Sequence, residues 1–146
     1  MNDRPALQDA KPLAPAGAGW EMVEPIGFGE LIGPLWQRRD GERLRFGLVV
    51  TAKHLNFNHI LHGGMLATLA DQSMGMTAQH VTGRKPHVTI ELNMQFIGAV
   101  RLGEFVEAQC EVMRAARLIV FMQAKLVSGS RIVASATGIW KIIGEG

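Results

Sequence analysis

The stretch His62-Gly63-Gly64-Met65-Leu66-Ala67-Thr68-Leu69-Ala70-Asp71-Gln72-Ser73-Met74-Gly75-Met76-Thr77-Ala78-Gln79 decides the fold of this 146-residue chain. From Met65 to Gln79 it is almost wholly apolar, and Asp71 is its one ionisable side chain. A run so long and so apolar reads as a helix buried by the rest of the chain. The two glycines ahead of it leave backbone N–H groups unobstructed at the positive end of that helix, where negative charge developing on an oxygen is held. A lone carboxylate in poorly solvating surroundings is a reactive base or nucleophile. Together the two features point to acyl transfer.

Asp71 lies eight residues beyond Gly63, which at about 1.5 Å per residue is roughly 12 Å along the helix. Attack on a carbonyl requires reacting atoms within about 3–3.5 Å. One helix therefore cannot offer its N-terminal amides and its own Asp71 to the same carbonyl, whereas two copies running antiparallel across a twofold axis can. The expected site is shared between subunits.

Working outward, the residues on either side alternate. Leu44, Phe46, Leu48 and Val50 point one way and Arg43, Arg45 and Gly47 the other, a strand with one buried face. After the turn Gly83-Arg84-Lys85-Pro86, Val88, Ile90, Leu92, Met94 and Phe96 alternate with Thr89, Glu91, Asn93 and Gln95, with no slip in the period. Val106 to Val112, Leu118 to Leu126 and Ile132 to Ile142 complete the set, joined by short hairpin connections near Ala115-Ala116 and Gly129. Ile119, Phe121, Val133 and Ile139 fall on the face opposite the core, which marks a second packing surface. Upstream, Phe28, Leu31 and Ile32 have the i, i+3, i+4 spacing of a short helix ending at Gly33-Pro34 and expected to pack as a flap on the core. Lys53 to Leu61 is irregular and polar, as functional loops are. The pattern predicts an α+β domain over residues 20–146, a curved antiparallel sheet wrapped around one long central helix, preceded by a disordered arm over residues 1–19.

Composition narrows the function classes. Hydrophobic residues make up 47% and charged residues 19%, as in a globular protein with extensive buried surface. The charge of +2 comes without a long basic run, so nucleic acid is not an expected partner. Cys110 is the single cysteine, which excludes an intrachain disulfide and a thiolate metal cluster and suits a reducing compartment. The N-terminus lacks the apolar core of a secretory signal, and the helical run is shorter than a membrane span. A cytoplasmic location follows as the expectation.

The combination Asn56-x5-His62-Gly63-Gly64, Leu69-x-Asp71 and Thr89-Ile90-Glu91-Leu92-Asn93 resembles the hotdog-fold thioesterases, and most closely their PaaI-like acyl-CoA branch. The resemblance spans about residues 20–142. It implies a hotdog fold, a dimer whose sheets join edge to edge, often a dimer of dimers, and hydrolysis of acyl-CoA or aryl-CoA without a metal or other cofactor. It assigns Asp71 as the catalytic acid residue, Gly63 as the amide that polarises the thioester carbonyl, and His62 and Asn56 as the groups shaping that oxyanion site and its water. Thr89 matches a position near the partner subunit's carboxylate. Gly64, Met65, Met74, Arg84 and Lys85 are the candidates for contact with substrate, the methionines as pliable pocket walls and the basic pair for coenzyme A phosphates. The chemistry agrees, because a thiolate with a pKa near 8.5 leaves readily. A base or nucleophile and oxyanion donors then suffice.

Other readings have less behind them. His54, His59 and His62 have spacings a metal site uses but sit on an irregular loop without set geometry. The glycines 27, 29 and 33 lack both the spacing and the preceding strand of a dinucleotide loop, and no serine lies in a nucleophile-elbow motif. Cys110 falls on a buried strand face. A non-catalytic acyl-CoA-binding module and an enoyl-CoA hydratase on the same fold are the alternatives to hydrolysis, and release of free thiol separates them.

Overall fold

The computed structural model describes residues 14–144. In chain order the elements are β1 (Glu21–Met22), α1 (Phe28–Ile32), β2 (Leu35–Asp40), β3 (Arg43–Val49), a 3-10 turn (Ala52–His54), α2 (Gly63–Val81), β4 (His87–Phe96), β5 (Phe105–Ala115), β6 (Ile119–Ser128) and β7 (Arg131–Ile142). All seven strands form one antiparallel sheet in the order β1-β2-β3-β5-β6-β7-β4. α2 lies on its inner face, the hotdog arrangement. Of the expected arm, residues 1–13 are outside the described part. Pro15 is buried, and residues 16–19 run in bends.

Leu66, Leu69, Ala70, Met74 and Ala78 of α2 interlock with Phe46 and Leu48 of β3, Val106 of β5, Met122 and Leu126 of β6, and Trp140 of β7 in one core. Burying a large apolar side chain of this kind contributes about 1.5–3 kcal/mol. Trp140 is the largest fully buried side chain, and two glycines make its room. A Cβ on Gly138 would lie 2.5 Å from its ring, and one on Gly75 of α2 would lie 3.3 Å from Nε1. The sheet and the helix close on opposite edges of one indole.

Four expectations change. The first hairpin is β2–β3, turning at Gly41-Glu42, which the alternation starting at Leu44 did not include; its signal was Asp-Gly between two strand-like runs. The flap is thin. Ile32 packs against the core, but Phe28 and Leu31 are 57% and 72% exposed, so the helix covers little.

β4 does slip. Thr89 pairs with Trp140 and Glu91 with Ile139, so Ile90 is an extra residue in a bulge. Beyond it Leu92 and Met94 face the core as expected, while Val88 and Ile90 turn outward and are 43% and 54% exposed. β7 has the same device, with Leu126 opposite Ala134 and Val127 opposite Ile132. Val133 is therefore fully buried in the core and Ile132 is exposed, the reverse of the alternating reading. Only Ile119, Phe121 and Ile139 of the four expected outer-face residues remain outside the core, Phe121 directly opposite Ile139.

Candidate active site

Thr89 Oγ1 donates a 2.6 Å hydrogen bond to Asp71 Oδ1 within one chain. The bulge makes this possible. Cross-strand partners share a sheet face, and Thr89, paired with the core-facing Trp140, is turned toward α2. The resemblance placed a threonine near the partner subunit's carboxylate; within this chain Thr89 is bonded to the Asp71 of its own protomer, through Oδ1. Asp71 is half-buried rather than immersed in apolar surroundings, because α2 presents it at the rim of the sheet beyond the core.

Around the pair is a cavity of about 190 Å³ lined by Asp71, Gln72, Gly75, Met76, Gln79, His87, Thr89 and Trp140. Positions 71, 75 and 79 follow one another at i+4 spacing, so one face of α2 forms a wall. Met76 and Gln79 continue into a second cleft of about 610 Å³ that Arg39, His80 and Arg84 also line. A larger cavity of about 970 Å³ lies against Asn93, Cys110 and Gln123; it holds none of the predicted site residues.

The other half of the predicted constellation is at the N-terminus of α2, about two turns before Asp71. His62 is the N-cap, and its Nδ1 accepts the Gly64 N–H at 2.8 Å. Its C=O accepts from Met65 and Leu66. That leaves the Gly63 N–H without an acceptor among the described residues, the uncommitted donor an oxyanion needs. Asn56 holds the loop in front: its Oδ1 accepts from Asn58 N–H at 2.9 Å and Ile60 N–H at 3.3 Å. The Phe96 ring, at the far end of β4, lies against Gly63.

The substrate-contact candidates divide. Gly64 stands in the oxyanion turn with its amide spent on His62, and Arg84 lines the cleft that continues from Asp71. Lys85 is exposed in the following turn, where its carbonyl accepts from His87 Nδ1 at 2.6 Å. Met65 and Met74 are 7% and 0% exposed and belong to the core, because the helix turns their positions toward the sheet; Met76 is the methionine at the cleft. Trp140, His87 and Gly75 were not foreseen as pocket residues. Gly75 carried a legible signal, since a glycine inside a helix is unfavourable by about 1 kcal/mol and marks close packing.

A curved sheet around one helix, with a held carboxylate and a free helix-start amide, defines a hotdog enzyme of acyl transfer. Residues 58–135 match the sequence model of the thioesterase superfamily. The chain belongs to that family, and its chemistry is thioester hydrolysis. A Pseudomonas aeruginosa protein that carries an esterase name is 36% identical over 115 residues, covering 77% of this chain and 86% of that one. Human acyl-coenzyme A thioesterase 13 is 28% identical over 97 residues, covering 66% of this chain and 64% of that protein. Among solved structures, a point mutant of the phenylacetic acid degradation protein PaaI from Thermus thermophilus superposes with a TM-score of 0.71 at 26% identity, covering 80% of this chain and 98% of that one.

Proposed function

We propose that the chain hydrolyses acyl-CoA or aryl-CoA to the free acid and coenzyme A in a dimer, with Asp71 from one subunit and Gly63, His62 and Asn56 from the other. One observation carries this reading. Thr89 aims Asp71 into a cavity, while the uncommitted Gly63 amide stands about 12 Å away along the same helix. A second copy is required to bring an amide to each carboxylate. The unpaired edge of β4, with Val88 and Ile90 exposed along it, is the surface on which the sheets would join.

In such a site the partner subunit's Gly63 amide stabilises the oxyanion as oxygen adds to the carbonyl carbon. Asp71 Oδ2 attacks the carbonyl or takes a proton from an attacking water. Collapse of the tetrahedral species breaks the C–S bond and releases the thiolate; where water attacked, the free acid forms at once, and where Asp71 attacked, water then hydrolyses the Asp71–acyl anhydride to the acid and restores the carboxylate. Substrate chemistry follows from the relatives' names, acyl-coenzyme A for the human protein and phenylacetic acid degradation for PaaI. The cleft past Met76, with Arg39 and Arg84, is where the substrate's anionic part would sit.

Mixed dimers test the sharing. Chains carrying Asp71→Asn and chains carrying Asn56→Ala, each inactive alone, should regain thiol release when combined, since one of the two sites is then intact. Verified heterodimers without activity would place the site within one subunit.

A further inference from the structure

His54 closes the 3-10 turn just ahead of Asn56, yet its side chain points the other way, into the protein, and is 3% exposed. Its ring is committed at both nitrogens. Nε2 lies 2.6 Å from the Ile32 carbonyl oxygen, an acceptor only, so Nε2 carries the proton. Nδ1 lies 3.0 Å from the Thr51 backbone nitrogen, a donor only, so Nδ1 is bare. These partners select the neutral Nε2–H tautomer. The His54 main chain completes the connection, because its C=O accepts the His62 N–H at 2.8 Å.

One residue therefore ties three segments: the end of α1 just before Gly33-Pro34, the start of the 3-10 turn, and the N-cap of α2. From His62 the connection passes through Nδ1 to the Gly64 amide, leaving Gly63 uncommitted. We propose that His54 is a positioning residue for hydrolysis, whose bond to the Ile32 carbonyl holds the loop that aims the Gly63 amide. This rests on the reading of Gly63 as the oxyanion donor. A histidine suits the task because one flat ring offers a donor and an acceptor on nearly opposite sides, and burial, opposed by the Ile32 carbonyl and aided by Lys53, keeps the ring below the ordinary histidine range and so uncharged. A misplaced donor stabilises the transition state less without changing how the ground state binds.

The test uses the full chain with His54→Asn and His54→Gln. Asparagine keeps an acceptor near Thr51 N–H but is too short to reach Ile32; glutamine places an amide N–H where Nε2 stood. His54→Asn should lower kcat about tenfold with KM changed less than about twofold, and His54→Gln should recover most of it. Backbone amides of residues 61–66 should exchange hydrogen faster in His54→Asn and near the parent rate in His54→Gln. A merely structural histidine would lower the melting temperature in both variants and leave kcat and this local exchange alone, which overturns the proposal. The exchange measurement needs no substrate. A parent chain that releases no thiol would sink the hydrolase reading, and the exchange pattern would still decide whether His54 holds the loop.

Discussion

Thr89 reaches Asp71 because Ile90 is one residue too many: the bulge between Thr89 and Glu91 turns the hydroxyl onto the helix face of β4, where it donates to Oδ1 at 2.6 Å. Asp71 is thus oriented from within its own chain, and in the proposed dimer the second subunit is left to supply the amide.

Asp71→Asn keeps the shape of the side chain and removes the base or nucleophile, so kcat should fall by about 10² or more with substrate still bound. Thr89→Val removes the orienting donor but leaves the carboxylate, and a smaller loss of about tenfold is expected, with Thr89→Ser near the parent. Steady-state thiol release over an acyl-CoA and aryl-CoA panel measures both. Equal losses for the two variants would mean that Thr89 does more than orient.

The edge of β4 offers a separate handle. Ile90 is exposed beside an unpaired strand edge, and Ile90→Lys puts a charge there of the kind that protects sheet edges from pairing. Light scattering should report a monomer, folded by circular dichroism, with thiol release nearly abolished although Asp71 and Thr89 are intact. A folded monomer that keeps full turnover would rule out the shared site.

On the outer face Phe121 is 39% exposed and opposite Ile139. If this face joins two dimers, Phe121→Glu buries an unpaired charge, at about 3–5 kcal/mol. The expected result is a tetramer reduced to a dimer, with most activity kept. A parent that already sediments as a dimer defeats the idea.

Cys110 lines the larger cavity, yet burial pushes its thiol up to about 12, a bond with Thr77 opposing. In the native state it should resist alkylation at pH 8 and react once the chain unfolds. Because the folded value is raised above the unfolded 9.0, the associated stability is complete below pH 9.0 and declines as pH rises toward 12. Urea titrations at pH 8 and pH 10, set against Cys110→Ala, check the sign; fast native alkylation at pH 8 would contradict it.

Much of this was legible along the chain. The apolar run with one carboxylate, the glycines at its start and the strands from Arg43 onward are local patterns, set by helical and strand periodicity and by the scarcity of charge in a buried segment. The same arithmetic, eight residues at a fixed rise, is what makes the proposed site a shared one. What the sequence could not decide was which side of β4 and β7 each residue takes after a bulge. That parity depends on hydrogen-bond register with the neighbouring strand, and one inserted residue exchanges Thr89 for Ile90 and Val133 for Ile132 between core and surface. His54 was hidden for the same kind of reason. Its partners, Ile32 and Thr51, are set by how α1 folds back on the loop, and only the closed chain brings a carbonyl 22 residues upstream to its ring.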